Sequence, residues 1–185
     1  MSADNINRIT GLTVRVVCTK GVQGLQNRFS GPLLVVGGSP TVSSIIDKVN
    51  QFPSKKLLCT ARDPGVIKPD FLFFSDTYTC RTLFDITKDT YLITRGIITD
   101  LHGQFSVNKD RWYHWSTEFK WGAFTGPCAL RCAMYMGFNP VYLTGFDGVC
   151  RIKNYYAESV SQVKDLLSKH QILIPFERTF DNGQN

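Results

Sequence analysis

Residues 122 to 147, GAFTGPCALRCAMYMGFNPVYLTGFD, constrain the fold of this chain more than any other stretch. They predict a Gly/Thr loop, a short buried helix over 127–136, a two-residue turn and a buried strand over 141–146 that leads into Asp147. This order places small residues and one carboxylate at the same edge of a sheet. Such an edge is where α/β folds hold ligands.

The rest of the chain continues this alternation of short apolar strands and amphipathic helices. The spacing of Val42, Ile45, Ile46 and Val49 predicts a helix that begins near Thr41. A later helix has an apolar face of Ala157, Val160, Val163, Leu166 and Leu167. Further strands are expected at 12–18, 32–38, 55–61, 70–76, 90–96 and 172–176.

Short strands that alternate with helices predict a three-layer, Rossmann-like α/β fold, in which helices flank a mostly parallel sheet. The 185 residues, 43% of them apolar, suit one domain over 1–185, with 181–185 as a frayed tail. The chain has no run of about 18 apolar residues and no signal-peptide pattern at its start. We therefore expect a soluble, cytoplasmic protein without a membrane span.

The six cysteines are spread along the chain without a C-x-x-C pair or a nearby histidine that would complete a zinc site. Buried free thiols are favoured over disulfides, because most of these cysteines lie inside apolar segments. Cys128 and Cys132 are one helical turn apart, but two thiols alone do not form a metal site. We predict no metal site from these residues.

The positive charge is concentrated in the first third of the chain. Residues 1–69 contain nine Lys/Arg and three Asp, whereas residues 70–185 contain twelve of each sign. This asymmetry suits a phosphate-bearing ligand, a nucleic acid or an acidic surface, and solubility alone is an equal alternative.

The turn formed by Gly37, Gly38, Ser39, Pro40 and Thr41 joins a buried strand to a helix. Its backbone N–H groups and the helix N-terminus would favour an anion such as a phosphate, and Thr41 could cap the helix. It is neither G-x-G-x-x-G nor a P-loop, so a tight turn without a ligand is an equal alternative.

Polar residues also follow two other predicted strands. Ser75 and Asp76 end one strand, and Asp147 ends another after Gly145. A carboxylate there could bind a ribose hydroxyl or a metal, or act as a base, although a turn cap is the commoner role of a single Asp. Thr125, Gly126 and Pro127 begin a second helix whose N-terminus would face the same crevice.

Residues 102–121 mix aromatic and charged side chains without a clear period, and we predict an aromatic and basic loop or lid. His114, within RWYHW, is the histidine nearest to such side chains, and a packed surface histidine is the alternative. The same aromatics could stack nucleic-acid bases or form a small satellite core. Because the aromatic and basic pattern is not repeated on other strands, we do not predict a nucleic-acid partner.

The segments VVGGSPTV, FFSD and FTGPCALRCAMYMGFNPVYLTGFD together resemble the bacterial sialyltransferases that use CMP-sialic acid and their sialyltransferase-like relatives, which include 6-hydroxymethylpterin diphosphokinase-like proteins. The resemblance spans roughly residues 32 to 176 and implies a GT-A-variant-like fold. It implies nucleotide contacts at Gly37, Ser39, Pro40, Thr41, Thr125, Gly126 and Gly145, with Asp147 completing the donor pocket.

The chain departs from that family in two ways. Gly38 stands where the sialyltransferases have Asn, and no histidine follows Asp147 in the short segment GVCRIKNY, where the family carries its catalytic base. A base would then come from His114 or from Asp147 itself. Candidates for contacting the leaving phosphate or the acceptor are Arg111, Arg151, Lys153, Tyr155 and Tyr156.

These observations support three hypotheses of function. The first is a small glycosyltransferase that moves a sugar from a nucleotide donor to a hydroxyl acceptor, without a metal cofactor. The second is a protein that binds a nucleotide or nucleotide-sugar without catalysis. The third is an ATP-dependent diphosphokinase-like enzyme, which would need Mg²⁺. The sequence does not predict an oligomeric state.

Overall fold

The computed structural model describes residues 14–18, 20–59, 67–73, 89–94, 97–100, 108–115, 124–146 and 153–176. Within these ranges the strands are β1 (Val14–Val17), β2 (Leu33–Val36), β3 (Lys55–Leu58), β4 (Phe71–Phe73), β5 (Tyr91–Thr94), β6 (Ile97–Asp100), β7 (Trp112–His114), β8 (Val141–Thr144) and β9 (Leu173–Pro175). The α-helices are α1 (Ile46–Gln51), α2 (Thr125–Tyr135) and α3 (Lys153–Lys169). Short 3₁₀ helices occupy Val22–Leu25, Pro40–Ile45 and Lys109–Arg111.

Seven of the strands form one parallel sheet in the order β7-β5-β4-β3-β2-β8-β9. The remaining two, β1 and β6, pair antiparallel in a separate two-stranded sheet. The prediction of a Rossmann-like α/β fold with a mostly parallel sheet is confirmed. The expected strand at 12–18 is observed as β1 outside the main sheet, and its partner β6 was missed.

The central strand β2 is buried along its whole length because helices cover both faces of the sheet. Leu33 and Val35 belong to the core cluster that contains α2 and the buried side of α3. Leu34 and Val36 belong to the opposite cluster, which contains Val42 and Val49 from the segment around α1. This alternation produces the three layers, and each buried side chain of this size stabilises the fold by about 1.5–3 kcal/mol.

The helix predicted from Thr41 begins as the 3₁₀ turn Pro40–Ile45 and continues as α1. The N-cap is Ser39 and not Thr41, since the Ser39 hydroxyl accepts a hydrogen bond from the Thr41 N–H at 3.3 Å. In α3, Val163 and Leu166 are buried as expected, whereas Ala157 is exposed. Each step of three residues rotates the helix by about 60°, so Ala157 has turned away from the buried face.

The prediction of a loop or lid over 102–121 is wrong for residues 112–114, which form β7 at one edge of the main sheet. Trp112 and Tyr113 point to opposite faces of the sheet. Tyr113 is buried in the core cluster that contains α2, and Trp112 is buried in the opposite cluster. The Trp112 indole N–H donates to Thr94 Oγ1 at 2.9 Å, and the His114 N–H donates to the Lys20 carbonyl at 2.7 Å. The aromatic side chains therefore follow the two-residue period of a strand. Residues 102–107 and 116–121 lie outside the described residues.

Candidate functional site

The order of the strands reverses between β2 and β8, and the carboxyl ends of these two strands are therefore the expected position of a ligand crevice. From β2 the chain adds β3, β4, β5 and β7 on one side, and it then returns to add β8 and β9 on the other. The connection from β2 runs through α1 on one face, whereas the connection from β8 runs through α3 on the other. In open α/β sheets such a reversal of strand order marks the position where ligands bind.

Two glycines lie at this crevice because the backbones that follow β2 and β8 touch. The Gly37 N–H donates to the Thr144 carbonyl at 2.8 Å, and the Ser39 N–H donates to the Gly145 carbonyl at 3.3 Å. A Cβ on Gly37 would lie 2.3 Å from the Gly145 oxygen. Gly145 has φ +76, and a Cβ there would lie 2.6 Å from Val42 Cγ2. Packing within the protein therefore requires both glycines, with or without a ligand.

The third segment at the crevice is the first turn of α2, Thr125 to Pro127. A Cβ on Gly126 would lie 2.8 Å from Cε1 of Phe146, and one on Gly37 would lie 3.3 Å from Cε2 of the same ring. The partly exposed Phe146 ring therefore lies between the two glycine segments. Phe146 was not among the residues predicted from the sequence to form the site, and its signal was an aromatic residue between Gly145 and Asp147.

The structure thus brings together the described residues predicted to contact a nucleotide. They are Gly37, Gly38, Ser39, Pro40 and Thr41 after β2, Thr125, Gly126 and Pro127 at α2, and Gly145 after β8. Ser75, Asp76, Asp147 and Arg151 lie outside the described residues. Lys153, Tyr155 and Tyr156 are in the first turn of α3, whose backbone alone is described there.

Most backbone amides of the 37–41 turn are engaged inside the protein. The Gly37 N–H donates to the carbonyl of Thr144, the last residue of β8, and the Ser39 N–H donates to the carbonyl of Gly145, which follows it. The Thr41 N–H donates to Ser39 Oγ, and Pro40 has no N–H. Among the described residues, the Gly38 N–H alone in this turn has no acceptor. The turn therefore does not present the row of N–H groups that an anion cradle requires.

Arg111, a predicted phosphate or acceptor contact, lies away from the crevice. It precedes β7 and therefore stands at the amino edge of the sheet, opposite the carboxyl edge. Its guanidinium pairs with the Asp89 carboxylate at 3.4 Å, donates to the Asp89 carbonyl and lies 5.0 Å from the Tyr91 ring centroid. These contacts hold Arg111 in a structural role, and we remove it from the candidate site.

His114 stands at the carboxyl edge but is remote from the glycines. Four strand spacings of about 4.8 Å separate β7 from β2, or roughly 19 Å across the sheet. Its Nδ1 is buried and has no hydrogen-bond partner within the described part of the chain. The expectation that His114 could serve as the base from an aromatic loop required residues 112–114 to form a loop or lid, and they form an edge strand instead.

The cysteines support the prediction of buried free thiols. Cys18, Cys59, Cys128 and Cys132 are free and buried, whereas Cys80 and Cys150 lie outside the described residues. Burial raises the pKa of Cys59 to about 12, and burial with the neighbouring Cys128 thiol raises the pKa of Cys132. A raised thiol pKa is typical of inert, structural cysteines.

The described ranges contain no group of three or more His, Cys, Asp or Glu side chains that could hold a metal ion. Within the same ranges, none of the helices has the length and apolar character needed to cross a membrane.

The chain is similar to known proteins in its structure. No protein-family model and no curated protein sequence matches the chain. Among solved structures, the chain is similar to the MAf glycosyltransferase from Magnetospirillum magneticum AMB-1, at 18% sequence identity and a TM-score of 0.48. The similarity covers 75% of this chain and 26% of the other, so this chain spans about a quarter of that glycosyltransferase.

Proposed function

We propose that this protein binds a nucleotide or nucleotide-sugar in the crevice between β2 and β8 and transfers the sugar to a hydroxyl acceptor. The observation that carries the proposal is the reversal of strand order at β2 and β8, with Gly37, Gly145 and Gly126 meeting at that point. A crevice at this position is the usual ligand site of doubly wound sheets. The sialyltransferase-like motifs in the sequence supply the reaction class.

In this proposal the segments 37–41 and 125–127 contact the nucleotide, and Asp147 acts as the general base. Asp147 comes directly after Phe146, which lies at the crevice. A carboxylate there could take the proton from the acceptor hydroxyl as the sugar is transferred. Ser75 and Asp76 would bind polar groups of the donor. Arg151, Lys153, Tyr155 and Tyr156 would stabilise the departing phosphate.

The alternative function is nucleotide or nucleotide-sugar binding without catalysis. The observation that favours it is the distance of about 19 Å, estimated from strand spacing, between His114 and the crevice. Without His114, Asp147 is the remaining residue that we proposed as a base. A protein of this kind would become saturated with its ligand and leave that ligand unchanged.

The first test is a thermal-shift panel of CMP, UDP, GDP, ATP and their sugars, with and without Mg²⁺. A ligand that prefers the native state raises the unfolding midpoint, because its binding stabilises that state. At a ligand concentration of 100 times Kd the stabilisation is about 2.7 kcal/mol. A CMP or UDP species that raises the midpoint supports the proposal. A midpoint unchanged by every member of the panel contradicts it.

The second test separates transfer from binding. Donor turnover is measured for the wild type and for Asp147→Asn, which preserves the size of the side chain and removes the base. The proposal expects a fall of about 10²- to 10⁴-fold in kcat with binding retained. Tight binding without turnover in the wild type favours the non-catalytic alternative. Turnover that stops when Mg²⁺ is chelated favours the diphosphokinase-like reaction.

A further inference from the structure

We infer that the crevice between β2 and β8 recognises the uncharged nucleoside part of its ligand, with Phe146 as the stacking surface, and that the phosphates bind elsewhere. This inference rests on the proposed function and names the part of the ligand that the crevice accepts. It departs from the interpretation of the 37–41 turn as a phosphate cradle.

The backbone of the turn argues against phosphate recognition. Gly-rich phosphate loops act through several N–H groups that point at the ligand. Here the N–H groups of Gly37, Ser39 and Thr41 donate to Thr144 O, Gly145 O and Ser39 Oγ, at 2.8, 3.3 and 3.3 Å. A phosphate at this turn would have to displace those hydrogen bonds or accept a hydrogen bond from the Gly38 N–H alone.

The described side chains at the crevice also carry no positive charge. The described segments 37–41, 124–127 and 144–146 consist of Gly, Ser, Thr, Pro and Phe. None of these side chains can neutralise a phosphate, and a phosphate group carries one or two negative charges near neutral pH. The predicted cation Arg111 is paired with Asp89 at the amino edge.

What the crevice does offer suits a flat, polar ring. Phe146 is partly exposed, and the glycine backbones at its Cε1 and Cε2 edges hold the ring in place. Ser39 Oγ lies 3.0 Å from Thr41 Oγ1, so two hydroxyls stand in the turn whose Gly37 lies against the Phe146 ring. Stacking of a base on an aromatic side chain contributes about 1–3 kcal/mol, and hydroxyls can donate to or accept from base and ribose groups.

The test is isothermal titration of the wild type with CMP, cytidine and inorganic pyrophosphate, or the matching set for whichever base the thermal panel selects. We expect the nucleoside to bind within about fivefold of the nucleotide. We expect millimolar pyrophosphate to leave nucleoside binding unchanged. Nucleoside affinity should change less than twofold between 50 and 300 mM salt, because binding of the nucleoside in the crevice does not depend on ion pairing.

Variants of Phe146 test the stacking surface. Phe146→Leu should weaken nucleoside binding about tenfold, which corresponds to 1.4 kcal/mol, whereas Phe146→Tyr keeps the ring and should bind like the wild type. Phe52→Leu, the same change at a partly buried ring that packs on Tyr142 and Phe176, serves as the matched control and should bind normally.

Two results would overturn the inference while the proposed function stands. One is pyrophosphate that competes with the nucleotide while the nucleoside fails to bind. The other is a Phe146→Leu variant, or Phe146→Met if the leucine variant does not fold, that binds the nucleoside as tightly as the wild type. Failure of all nucleotides and nucleosides to bind would instead contradict the proposed function itself.

Discussion

At the scale of single residues, the packing of the protein itself requires glycine at positions 37 and 145. Gly145 needs a positive φ and lies against Val42, and Gly37 lies against the Gly145 carbonyl. A side chain at either position would push the two backbone segments apart. The two glycines therefore allow the backbone segments after β2 and β8 to pack against each other, whatever ligand binds beside them.

Gly145→Ala should lower the free energy of unfolding by about 2–4 kcal/mol, because a Cβ adds left-handed strain and a clash. The clash is with Val42 Cγ2, 2.6 Å from the Cβ position. Gly31→Ala is the matched control, since Gly31 has φ +79 with no atom within 4 Å of its Cβ position. It should cost about 1–2 kcal/mol from strain alone. Equal costs in urea unfolding would show that the contact with Val42 does not constrain Gly145.

Cys59 should make the stability of the protein depend on alkaline pH. Its pKa rises from 9.0 to about 12 on burial, so the unfolded thiol ionises first as the pH increases. The contribution of the protonated Cys59 thiol to the free energy of unfolding is fully present below pH 9. It falls by about 1.4 kcal/mol per pH unit between pH 9 and pH 12. Cys59→Ala should therefore lose about 2 kcal/mol less than the wild type between pH 8 and 10.5 in urea unfolding. An identical loss in both proteins would contradict the assignment.

At the scale of elements, β7 extends the sheet by one strand and closes its outer edge against Gly21. A three-residue strand makes few ladder bonds, so side chains must help to hold it. Trp112 does so by donating its indole N–H to Thr94 Oγ1 of β5, with both side chains buried. This bond connects the outermost strand to the core of the sheet.

Thr94→Val should destabilise the protein by about 1–3 kcal/mol, because it leaves the buried indole N–H of Trp112 without an acceptor at similar volume. Thr94→Ser keeps the hydroxyl and removes one methyl, and it should cost about 1 kcal/mol. Urea unfolding followed by tryptophan fluorescence measures both. A valine variant more stable than the serine variant would show that the hydrogen bond does not secure β7.

At the scale of the whole molecule, the seven-stranded sheet keeps His114 away from the glycine crevice, although the sequence predicted that both could act on one ligand. His114 ends β7 at one edge, while the glycine crevice lies between β2 and β8 toward the other. The cation Arg111 lies at the opposite end of β7, held by Asp89. The breadth of the sheet therefore removes His114 from the residues proposed to act at the crevice.

His114→Ala should leave nucleotide affinity within twofold of the wild type, because roughly 19 Å separate β7 from β2. Thr41→Glu is the comparison, since the exposed Thr41 side chain lies on the crevice turn. The added carboxylate should weaken nucleotide binding at least tenfold, or about 1.4 kcal/mol. Titration calorimetry with the nucleotide from the panel measures both variants. A large loss of affinity in His114→Ala would mean that the ligand reaches across the sheet.

The local pattern of the sequence was enough to predict the α/β class, most of the strands and the residues around the crevice. Continuous apolar runs such as Leu33–Val36 must be buried on both faces, and this requirement alone implies a parallel sheet with two helical layers. The Gly37 and Gly145 positions followed from the same reasoning, since glycines and turns mark strand ends.

Only the tertiary structure decided which strands are neighbours. Strand order depends on contacts between residues far apart in the chain, as in the pairing of β2 with β8 and of β7 with β5. Because of that order, residues 112–114 form an edge strand and not the expected lid, and His114 lies away from the crevice. It also engaged the amides of the 37–41 turn with β8 and placed Phe146 between two glycine segments. Local propensity contains no information on these pairings, because their free energy arises from packing and hydrogen bonds that exist only after the sheet has formed.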